Sequence, residues 1–159
     1  MKLIHMTERV NFESIRKLGL LGGYKPGKYT EWVAELLHVC KPNNTFKDLD
    51  TKKCVWFSPG NSSYRLKVEN NSLNTLLVDS ENLDKDKLFY VDGKLSERVK
   101  KSNPKPPEEI LDIATKFWEG LKPFSEYMIL HGEKEFLDRH IDVLYFGDVP
   151  PKHIEVYIE

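Results

Sequence analysis

The order of hydrophobic patterns along the chain is its strongest constraint on fold. A short apolar run at Leu3–Thr7 is followed by two segments of helical period, then by four strand-like runs, one further helix and three more strands. Helices and strands therefore do not alternate as they do in a parallel βαβ sheet. The expected class is α+β, with a largely antiparallel sheet and flanking helices in one domain over residues 1–159. A chain of 159 residues can bury about 70% of its unfolded surface, so a core needs no disulfide framework or structural metal.

Local signals mark the elements. Asn11 is a candidate cap for a helix that carries Phe12, Ile15 and Leu18 close to one face. Gly19 then suits the turn past its end, with Leu20 folding back on Ile15. Trp32, Val33, Leu36, Leu37 and Cys40 line one face of a helix that Thr30 starts and Pro42 stops. C-V-W-F-S at 54–58, the alternating Tyr64, Leu66 and Val68, and the runs 73–78 and 88–91 read as strands. Asp92-Gly93 reads as a tight turn, and 94–105 as a loop that holds Lys94, Arg98, Lys100, Lys101 and Lys105 against Glu97 alone. Pro107 opens a helix with Ile110, Leu111, Ala114, Phe117 and Trp118 inward and Gly120 at its end. Residues 126–130, 141–146 and 154–158 complete the strand set.

Charge excludes one class and leaves a hint of another. Lys and Arg total 24 against 25 Asp and Glu, a net charge of −1, whereas a bulk nucleic-acid binder carries a clear positive excess. Positive charge is nevertheless gathered at 94–105 and in the Tyr/Lys loop at 24–29, where an anionic substrate would sit. The two cysteines form no disulfide framework, and no apolar run suits a signal peptide or a membrane span. A cytoplasmic protein is expected.

Phosphate-loop, HExxH, GxSxG and paired CxxC patterns are absent. His38 and Cys40 stand about 200° apart at about 100° per residue on a helix, so with Cys54 they make no zinc site, and no metal is expected. Three separated polar positions on strands carry more weight. His5 and Thr7 point the same way from the first strand. Ser58 closes the C-V-W-F-S strand beside Trp56. Glu126 opens E-Y-M-I-L, and a carboxylate beside a core strand generally has a partner.

The segment I-H-M-T-E-R-V-N-F-E-S-I-R-K-L-G-L-L resembles the opening strand and helix of the ADP-ribosyltransferase fold superfamily, most closely the DarT-type DNA-targeting toxins. V-W-F-S-P is similar to that family's central strand, and S-E-Y-M-I with F-G-D-V-P-P-K-H-I-E-V to its catalytic-glutamate strand and closing segment. The resemblance implies a split sheet that binds NAD as substrate in the cleft between two small sheets. It implies Glu126 as the catalytic carboxylate and His5 and Thr7 on the adenosine side. Ser58 would support Glu126 or the nicotinamide ribose, and Trp56, Tyr64 or Tyr29 would stack on the nicotinamide. Phe124 stands where arginine-modifying members carry a second acid or amide, and Arg65 is the nearest counterpart of the DarT-type arginine. The acceptor, protein or nucleic acid, stays open, as does a cognate antitoxin or immunity protein. The alternatives are an RNA 2′-phosphotransferase of the same fold and a non-catalytic binding module.

Overall fold

The computed structural model describes residues 1–23, 28–42, 46, 48–61, 73–101, 107–132, 134, 137 and 139–157. Seven strands form an antiparallel sheet: β1 (Lys2–Glu8), β2 (Val55–Pro59), β3 (Leu73–Asp79), β4 (Leu88–Asp92), β5 (Lys122–Pro123), β6 (Ile141–Tyr145) and β7 (Ile154–Tyr157). Their spatial order is β5-β4-β6-β2-β1-β3-β7. Five helices pack against them: α1 (Phe12–Leu18), α2 (Lys28–Val39), α3 (Gly93–Lys100), α4 (Pro107–Gly120) and α5 (Phe124–His131). The class is α+β, as the element order predicts. Among the described residues no helix is long and apolar enough to cross a membrane.

Alternation along the central strands builds two cores. Val55 and Phe57 of β2, with Val143 and Tyr145 of β6, enter one apolar cluster that Ile15 of α1 and Phe124 and Tyr127 of α5 complete. Trp56 and Leu144, one residue out of phase, enter the opposite cluster with Val33 and Leu37 of α2, Val99 of α3 and Phe117 and Trp118 of α4. The central strands β2 and β6 are thus covered on both faces, which is why β6 has all five residues buried.

The sheet is weakly joined at its centre. β1 pairs with β3 along all seven of its residues, Lys2–Glu8. With β2 it pairs only at Leu3↔Pro59 and Ile4↔Ser58. Beyond Ile4 the two strands part, and the Trp56 carbonyl accepts a hydrogen bond from the His5 ring instead of from a strand amide. Within the one seven-stranded sheet, β1–β3–β7 and β2–β6–β4–β5 are therefore joined by this short seam alone.

Four sequence expectations change. Residues 94–100 are helical: the Asp92 carboxylate accepts from the Lys94 amide, so Asp92-Gly93 caps α3 and makes no hairpin turn. Asp suits both roles, and the buried Ser96 and Val99 decide between them. Residues 124–131 form helix α5 and not a strand, because only Phe124 and Tyr127, three apart, are buried. Ile129 and Leu130 of the same apolar run are 84% and 57% exposed. In α4 the inward face is Ile113, Ala114, Phe117 and Trp118, while Leu111 faces solvent. Asn11 precedes α1 but makes no capping bond through its side chain. The strand expected around Tyr64, Leu66 and Val68 lies outside the described residues.

Gly19 ends α1 with φ of +85°. A Cβ there would lie 2.0 Å from the Val149 carbonyl oxygen, so only glycine lets the chain pass. Immediately after it, Leu20 and Val149 exchange two backbone hydrogen bonds of 2.9 and 2.8 Å. This bridge holds the segment after α1 against the sheet.

Candidate functional site

A cavity of about 330 Å³ lies at the place where β1 and β2 part. Period-two alternation puts His5 and Thr7 on its wall. Asn11, Ser14 and Ile15 of the α1 region, spaced three and four apart, add an adjoining face. The Leu20–Val149 bridge sets Leu20 and Leu21 as an apolar border, and Val55, Trp56 and Val33 continue it. Lys100 reaches the cavity from the last turn of α3. A second cavity of about 230 Å³ lies under α2 and shares Gly23, Val33, Cys54 and Trp56 with the first. The first volume is at the small end of ordinary ligand sites, about 300–1,000 Å³. Together the two make a two-lobed space.

The His5 ring has a defined role. A carbonyl can only accept, so Nδ1 carries the proton donated to the Trp56 oxygen at 2.8 Å. In the neutral ring Nε2 is then left as an acceptor. Burial lowers the His5 pKa from its usual 6.5, and the bond to Trp56 only partly offsets this. The unfolded chain consequently takes up the proton first as pH falls. The stability due to neutral His5 is complete above about pH 6.5 and is lost progressively below it. A His5→Gln variant should therefore lose less melting temperature than the parent between about pH 7 and about pH 5. Parallel pH profiles for the two proteins would contradict this assignment.

Lys100 links the cavity to a polar cluster around one carboxylate, Asp142, which lies outside the lining of both cavities. Asp142, on the α2–α4 side of β6, is buried. It accepts from the Ser96 hydroxyl and lies 3.1 Å from His140 Nε2 and 3.7 Å from Lys100 Nζ. Lys100 Nζ also sits 4.8 Å from the centroid of the Trp56 ring, a cation–π arrangement. The β2–β6 ladder pairs Phe57 with Val143. Continuing that register by one residue sets Ser58 opposite Asp142. Trp56, Ser58 and Asp142 therefore share a sheet face across two neighbouring strands.

Of the site residues expected from the sequence, the structure brings His5, Thr7 and Trp56 together on one cavity wall. Ser58 lies on the Trp56 side of β2, outside that lining. Tyr64 and Arg65 lie outside the described residues, as does the side chain of Tyr29. Glu126 is exposed on α5 and is not part of the cavity lining. The nearest marker of its surroundings is Tyr90 on β4, whose hydroxyl pKa is raised by burial first and by the Glu126 charge second.

Asp142, Ser96 and His140 belong to no sequence motif, and Lys100 stands out only as one of the basic residues of 94–105. A signal for Asp142 was nonetheless present: one acid inside the apolar run I-D-V-L-Y-F. Burial raises the thiol pKa of both Cys54 and Cys40, which disfavours thiolate chemistry at either. Among the described residues no group of three His, Cys, Asp or Glu is gathered so as to hold a metal ion. Comparison with family models, curated proteins and solved structures found no match for this chain.

Proposed function

We propose that this chain is an NAD-dependent ADP-ribosyltransferase that cleaves the nicotinamide–ribose bond and passes ADP-ribose to a macromolecular acceptor. The observation that carries this reading is the opened β1/β2 seam, with His5, Thr7 and Trp56 on the wall of the cavity beside it. The motif resemblance implies NAD between two halves of a split sheet, and a two-lobed space suits a ligand with two nucleoside halves. His5 Nε2 and the Thr7 hydroxyl are suited to ribose hydroxyls, and the apolar border to a base.

Cleavage of NAD builds positive charge on the ribose as nicotinamide leaves. A fixed carboxylate nearby stabilises that oxocarbenium-like state. In this reading Asp142 takes that part in place of Glu126, because Asp142 is the carboxylate held by Ser96 and His140 next to Lys100 and Trp56. Ser58, which shares that sheet face, would in the same reading support this carboxylate.

The test is direct. The purified protein should bind NAD in a calorimetric titration and release nicotinamide, with label from adenine-labelled NAD passing to protein or nucleic acid. His5→Ala should weaken NAD binding by about tenfold, the loss of one buried hydrogen-bond partner. Absence of binding at millimolar NAD would overturn the proposal and favour a non-catalytic binding domain.

A further inference from the structure

Among the described residues lining the larger cavity, one side chain is formally charged at neutral pH: Lys100. Its position is set without using its hydrogen-bond donors. The ammonium lies over the Trp56 ring at 4.8 Å and 3.7 Å from Asp142 Oδ2, which is too long for a hydrogen bond. That oxygen already accepts from the Ser96 hydroxyl, and Asp142 Oδ1 faces His140. Lys100 Nζ thus has no hydrogen-bond partner among the described residues, while an ammonium has three donors.

The arrangement is a cation pinned at the mouth of a largely apolar cavity with its donors unspent. The Trp56 face and the Asp142 charge both attract the ammonium, and neither closes it off from a ligand. From β1, His5 and Thr7 offer polar groups suited to a sugar. We propose that Lys100 is the anion anchor of this cavity, placed to hold a phosphate or pyrophosphate group of a nucleotide whose sugar lies against His5 and Thr7. Trp56 and the Asp142 charge set the place of the Lys100 ammonium. The inference rests on the nucleotide reading above and deepens it by naming the residue that meets the phosphates. It also separates two neighbours in the basic stretch after Gly93: Lys101 is spent on Glu97 at 2.9 Å, whereas Lys100, 46% exposed, lies over Trp56 at the cavity.

Calorimetric titration of the parent protein, Lys100→Met and Lys100→Arg with three probes tests it: NAD, inorganic pyrophosphate, and nicotinamide riboside, which has no phosphate. The parent should bind NAD and pyrophosphate. Lys100→Met should weaken both by about 10–100-fold, the range of a charge-assisted contact, and leave nicotinamide riboside unchanged. Lys100→Arg, which keeps the charge, should recover most of the loss. Equal NAD affinity in parent and Lys100→Met would overturn the anchor and leave the NAD reading standing. Equal weakening of nicotinamide riboside would also overturn it, since Lys100 would then only shape the cavity. Pyrophosphate binding that needs Lys100, without NAD binding, would keep the anchor and reject NAD. Binding of neither would overturn both.

Discussion

Trp118→Ala should lower stability by about 3–5 kcal/mol, the cost of deleting a fully buried large aromatic. Trp118 is 1% exposed and packs against Phe46 and Phe117, with ring centroids at 5.1 and 5.9 Å. Its indole N–H donates to the Leu37 carbonyl at 3.1 Å, tying α4 to the C-terminal half of α2. Alanine leaves a cavity and an unpaired buried carbonyl at the same point. A domain of this kind holds about 5–15 kcal/mol in all, so the variant should melt about 10–15 °C lower. Leu111→Ala makes the contrast: its side chain is 55% exposed, and the change should stay within about 0.5 kcal/mol. Denaturant melts of both proteins decide the matter. An unchanged midpoint for Trp118→Ala, or a large loss for Leu111→Ala, would mean that α4 presents a different face to the sheet.

The second large effect concerns Asp142. Asp142→Asn keeps the shape of the side chain and removes its charge. If this carboxylate stabilises charge on the ribose, nicotinamide release should fall by about 10²–10³-fold, the usual loss for one preorganised electrostatic group. Glu126→Gln, on the exposed face of α5, should leave the rate at the parent level. Ser96 and His140 keep hydrogen-bonding partners in Asp142→Asn, so near-ultraviolet circular dichroism should stay native while the rate falls. The opposite pattern, a rate lost in Glu126→Gln and kept in Asp142→Asn, would return the role to the residue that the motif resemblance implies.

Several features of the site could be read from the residues alone. His5 and Thr7 share a strand face because strand side chains alternate, whatever surrounds them. Gly19 past the end of α1, and the one-sided apolar spacing of Val33 and Leu37, are equally local. The strand expected around Glu126 gives way to a helix for an equally local reason. Y-M-I-L is a four-residue apolar run, and such a run fits a buried strand and a short helix alike. Only packing of Phe124 and Tyr127 on β4 and β6, with Ile129 left exposed, chooses the helix. The Asp92-Gly93 step is the same kind of ambiguity, since Asp serves a tight turn and a helix cap equally well.

Sequence by itself determined the α+β class, most element positions and the shared strand face of His5 and Thr7, because these follow from periodicity and from short-range backbone preferences. Tertiary structure alone decided where β1 and β2 part, that Trp56 joins His5 and Thr7 at the cavity, and that Lys100 lies between Trp56 and Asp142. Asp142 and Lys100 are 42 positions apart from one another in separate elements, and Trp56 lies further off still. Their meeting depends on strand order and on the angle at which α3 leaves β4, and neither quantity is written into the pattern of neighbouring residues.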